Sequence, residues 1–82
     1  MSQGIVFQLT ETQAVQKYQV NKKVAITEVI ANKQKKKQLF IAIGRPNPNT
    51  GRIEYQLKES TEEGAALYSD GKWFPQKQVK LP

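Results

Sequence analysis

Ile53-Glu54-Tyr55-Gln56-Leu57-Lys58 alternates apolar and polar side chains without a break, and a period of two buries one face only in an extended chain. This stretch predicts a half-buried β-strand and limits what can surround it. Just upstream, Leu39-Phe40-Ile41-Ala42-Ile43 is a nearly continuous apolar run that stops at Gly44, Pro46 and Pro48, as a more central strand would. Asn47-Pro48-Asn49-Thr50-Gly51 lies between the two, with proline presetting φ and Gly51 free to adopt positive φ. An antiparallel hairpin is expected.

The rest of the chain reads in the same idiom. Residues 24–30 are rich in β-branched side chains, which pack well on a pleated surface, and Ile5, Phe7 and Leu9 alternate as an opening strand would. Thr10 and Gln13 fit a capping box for a short helix, but Tyr18 and Val20 alternate, and a strand over residues 15–20 is preferred. Residues 60–63 fit either one helical turn or a tight polar loop, since Gly64 follows at once. Asp70-Gly71 between apolar flanks predicts a hairpin with Tyr68 facing Trp73 and Leu67 facing Phe74. Val79 and Leu81 suggest a brief last strand after Pro75. The expected fold is a single mainly β domain over residues 1–82, a small barrel-like or strongly twisted antiparallel sheet of about five to seven short strands with at most one short helix.

The composition excludes several functional classes. Histidine and cysteine are both absent, which removes the side chains that do most transition-metal binding and nucleophilic work. Glycine is sparse and never arranged as a phosphate-cradling loop. Glu59, Glu62 and Glu63 are neighbours in a polar stretch, a setting that leaves carboxylates solvated and ordinary rather than tuned for acid–base chemistry. Asp70 reads as turn chemistry, and the spacing of a calcium loop is missing. No enzyme activity, cofactor or metal is therefore expected. Met1-Ser2-Gln3-Gly4 has no basic start and leads into no long apolar stretch, so neither a standard secretion signal nor a membrane span is expected. With no cysteine, the cytoplasm is the default compartment.

What remains is charge. The net charge of +6 hides an asymmetry, with nine lysines and arginines against Glu28 alone over residues 17–52, and five acids against Lys58 alone over residues 53–70. Lys33, Lys35, Lys36 and Lys37 are expected in a loop spanning residues 32–38, where mobile side chains could neutralise anions without reading sequence. The plainer reading of that loop is a solubilising one. In an up-and-down meander it would share one end of the sheet with Glu59, Glu62 and Glu63, leaving Lys22, Lys23, Arg45 and Arg52 to gather at the other. Tyr68 and Trp73 are the candidates for stacking on bases, although such a pair more often packs on a core.

These features suggest a non-enzymatic interaction module that recognises an acidic protein surface through basic loops. The alternative is a protein binding single-stranded or structured RNA or DNA. A structural role through self-association along an exposed edge strand, giving a homo-oligomer, is a third class.

Overall fold

The computed structural model describes residues 15–82. The alternating stretch forms a strand, β3 (Ile53–Lys58), and its apolar residues Ile53, Tyr55 and Leu57 are all buried. The preceding apolar run belongs to β2 (Lys33–Pro46), which pairs with β3 as expected, placing Ile41 opposite Leu57 and Pro46 opposite Ile53. The connecting turn is built by Asn47, whose Oδ1 accepts from the N–H groups of Asn49 (2.8 Å) and Thr50 (3.1 Å) while Gly51 takes φ 75°.

A bulge between Ile41 and Ile43 shifts the pairing by one residue. Before it, Leu39 and Ile41 point into the core; after it, Gly44 takes the inward position opposite Tyr55, and Ile43 turns out to 47% exposure. Glycine is required there, because a Cβ would lie 2.9 Å from the Tyr55 ring and 2.9 Å from the Gln16 side chain.

The β-branched run forms β1 (Lys23–Ile30), antiparallel to the first half of β2. Here the structure corrects the sequence reading. Residues 32–38 are not a seven-residue loop: the chain turns at Ala31 and Asn32, and Lys33 is already paired with Ile30. Both turn residues adopt positive φ, 52° and 66°, as a two-residue type I′ hairpin demands. That choice keeps every residue of β1 in a ladder, whereas a loop over residues 32–38 would, at this register, leave residues 25–30 unpaired with β2.

The closing segments depart further. No hairpin forms around Asp70-Gly71. Tyr68–Gly71 is instead a 3₁₀ turn in which Ser69 and Asp70 each take φ 55°. Both expected partners are claimed by β3: Leu67 bridges to Lys58, and Phe74 pairs with Tyr55 as part of β4 (Phe74–Pro75). The turn therefore links two stretches along one edge of β3. A second 3₁₀ turn, Gln76–Gln78, follows, and the expected last strand reduces to a single bridge between Lys80 and Ala25. Residues 15–20 do not form a strand either. They are held crosswise, with the N–H groups of Lys17 and Tyr18 each 3.2 Å from the Tyr55 hydroxyl and the Tyr18 ring centred 5.7 Å from that of Tyr55. Residues 60–63 are a polar loop. The expected strand over residues 5–9 and the capping pair Thr10 and Gln13 lie outside the described residues.

Among the described residues the outcome is a mainly β meander, β1-β2-β3-β4, curled into a half-barrel of four strands, where five to seven are expected over the whole chain. The C-terminal segment completes the curl by pairing with β3 at Phe74 and with β1 at Lys80. Val24, Ile26, Leu39, Ile41, Ile53, Tyr55, Leu57, Phe74 and Val79 fill the core, with Tyr18 and Tyr68 packed against it.

Candidate functional site

Placing the lysine run on a strand changes what it can present. Side chains alternate along β2, so Lys33, Lys35 and Lys37 share the face that continues into Leu39 and Ile41, while Lys36 points to the opposite face, the one that also carries Lys23. Lysines on one face recur every ~6.6–6.8 Å along the strand. Lys37 is ion-paired with Glu59, Nζ to Oε1 3.4 Å. Lys33, Lys35 and Lys36 are exposed and have no ion-pair partner among the described residues. Glu28, opposite Lys35, accepts a hydrogen bond from the Tyr68 hydroxyl. The acidic loop after β3 thus meets the lysine run at one point, through Glu59.

The basic residues expected at the other end do not gather. Register places Lys23 opposite Phe40, and the Lys22 carbonyl accepts from the Ile41 N–H at 3.0 Å, so both lysines lie at the middle of β2. Arg45 and Arg52 flank the Asn47 turn at its end. Arg45 is committed to Glu54: its Nε and one terminal nitrogen each approach Oε2 at 3.0 Å, Asn47 Nδ2 donates to Oε1 at 2.8 Å, and the guanidinium lies 3.8 Å from the centre of the Trp73 ring. Glu54 is the buried polar residue of the described chain, at 8% exposure, and this clamp satisfies its carboxylate.

Arg52 instead borders a cleft of about 500 Å³ between the Asn47 turn and the segment after β4, with Thr50, Glu54, Gln76 and Lys77 in its walls. Both walls are fixed from behind. Asn47 braces one, and Gln76 braces the other by donating to the Val15 carbonyl (3.1 Å) and accepting from the Lys17 N–H (3.0 Å) and the Tyr55 hydroxyl. Lys77 escapes the sequence reading because nothing in its neighbourhood signals that it lines a cleft with Arg52; only the closing topology brings them there.

Neither candidate stacking ring stands free. Trp73 carries the Arg45 guanidinium on its face, and the Tyr68 ring packs 5.9 Å from Phe74. The hydrogen bond to the Glu28 carboxylate, together with burial, pushes the Tyr68 hydroxyl up to about 12. Burial also raises the Tyr55 hydroxyl above its ordinary range, against the opposing effect of the two N–H groups that donate to it. Among the described residues no helix is long and apolar enough to cross a membrane. No protein-family model, curated protein or solved structure matches this chain.

Proposed function

We propose that this chain is a non-enzymatic interaction module that binds an acidic protein segment through the lysines of β2. The observation that supports the reading is their arrangement: Lys33, Lys35 and Lys36 are exposed, lack ion-pair partners among the described residues, and ride on a paired strand. An extended segment with acids at every second residue has the same ~6.6–6.8 Å repeat, so its carboxylates run in step with Lys33 and Lys35. Because the strand already fixes the lysine backbones, less chain ordering is required on binding than a flexible loop would need. Arg52 and Lys77 at the far cleft add positive potential that favours encounter with an acidic partner.

The nucleic-acid alternative has the same lysines but weaker support from the aromatics, since Tyr68 and Trp73 both have partners. A salt titration with two probes separates the readings. Poly-L-glutamate is expected to bind in a salt-dependent manner, and changing Lys33, Lys35 and Lys36 together to Gln should weaken it about tenfold, because each exposed charge contact contributes little alone. Wild-type and triple-variant curves that superimpose would rule out the lysine surface. Preferential binding of a random single-stranded oligonucleotide, lost in the same variant, would replace the acidic protein partner with nucleic acid.

A further inference from the structure

Among the described residues the half-barrel is open along one seam. On one side β1 pairs with β2 over its whole length; on the other it meets the C-terminal segment only at Ala25, which exchanges two backbone hydrogen bonds with Lys80, at 2.7 and 2.9 Å. The N–H and C=O of a strand residue point to the same side and alternate from one residue to the next. Thr27 and Val29 therefore direct their backbone groups the same way as Ala25, away from β2, and no backbone partner meets them among the described residues. The chain that would have continued the ladder is diverted at this point, because Gln78, in register with Thr27, belongs to the 3₁₀ turn Gln76–Gln78.

The diversion leaves a pocket of about 380 Å³ beside the open edge, lined by Ile26, Thr27, Phe74, Gln78 and Lys80. Val29 and Ile30 beyond it are 68% and 55% exposed, an apolar end to a strand edge of the kind folded proteins usually cover or blunt. Lys80 stands at the pocket, and Lys33, Lys35 and Lys36 lie on the next strand over.

We infer that the β1 edge from Thr27 to Val29 takes up an extended segment of an acidic partner as an added strand, with apolar residues in the pocket on the core face and acids on the opposite face reaching Lys80 and Lys36. The inference deepens the function proposed above and rests on it. Strand addition supplies what a lysine surface lacks, since main-chain hydrogen bonds fix the partner's direction and register while the pocket selects one side chain.

Amide hydrogen exchange by NMR, with a blocked hexapeptide of alternating Glu and Val as the probe, tests it directly. In the free protein the Thr27 and Val29 amides should exchange quickly and those of Ile26 and Glu28, which face β2, slowly; the peptide should protect Thr27 and Val29. Thr27→Pro removes an edge donor that β2 does not use, a substitution edge strands tolerate, and should weaken the peptide about fivefold or more. Peptide binding lost in the triple lysine variant but unchanged in Thr27→Pro, with both amides unprotected, would overturn the edge and leave the lysine reading standing. Indifference to both sets of substitutions would overturn both. Amides already protected without peptide would mean that the edge is covered within the molecule or by a second copy, and would also overturn the inference.

Discussion

Residues 33–38 and 39–44 are the two halves of the first twelve residues of β2, built on the same extended backbone, and they behave in opposite ways. Among the described residues the first half has a neighbour on one side only, β1, and all of its side chains reach solvent to some extent. The second is flanked on both sides, by β1 with the residues just before it and by β3, and it buries Leu39 and Ile41 completely. The difference shows that a strand's conformation is set by its ladder, while its contribution to stability is set by what covers its faces.

The widest separation between the halves should come from truncation. Leu39→Ala opens a cavity against Val24 and is expected to cost about 2–5 kcal/mol, whereas Lys35→Gln should stay within about 0.5 kcal/mol. Urea denaturation of both variants checks this, and comparable losses would mean that the lysine half packs more than its exposure indicates. A smaller effect of opposite sign is expected at the tip of the exposed half. Ala31 sits at φ 52°, a region that disfavours a residue with a Cβ. Combining Ala31→Asn with Asn32→Gly suits the type I′ turn and should raise stability by about 1 kcal/mol, read as a higher urea midpoint at unchanged slope.

The smallest effect concerns the Tyr68 hydroxyl on Glu28, which ties the β1 residue opposite Lys35 to a ring packed against the core. Its pKa is raised to about 12 in the folded protein from the usual value near 10, so the neutral hydroxyl is favoured by folding. That contribution is complete below pH ~10 and fades as pH rises from there through about 12. Tyr68→Phe should cost about 1 kcal/mol or less at neutral pH, and the gap to wild type should close across that window. A gap that stays constant from pH 9 to 12 would show that the hydrogen bond does not titrate with Tyr68.

Much of the fold was legible because its strongest signals are local. The alternation of residues 53–58, the apolar run 39–43 and the proline and glycine between them define a hairpin whose information lies within twenty residues of chain. The errors fell where a distant partner decides. Ala31-Asn32 carries a weaker turn signature than Asn-Gly, and lysines have no preference for strands, so the β1–β2 turn was placed too late. Asp70-Gly71 is a strong hairpin signal overridden by β3, which takes Leu67 and Phe74 for itself. The site was harder still. Glu54 looks like any outward polar residue of an alternating strand, and only the fold shows that it captures Arg45, while Lys77 lines the same cleft as Arg52 although the two are twenty-five residues apart in the chain.

The bulge between Ile41 and Ile43 acts on the sequence as a parity bit. Odd-numbered side chains of β2 face inward before it and even-numbered ones after it, so one extra residue decides that Gly44 lies beneath the Tyr55 ring and that Arg45 lies outside with Glu54. Removing Ala42 alone would restore a regular ladder with Ile41 inward, Ile43 outward and Gly44 inward, whereas removing one residue on either side while the bulge is kept would invert everything downstream in the strand, driving the guanidinium toward the core. Length variation among relatives of this chain should therefore be found in the Asn47 turn, in the acidic loop after β3 or at the bulge itself, where loss of the extra residue leaves every other side chain on its face.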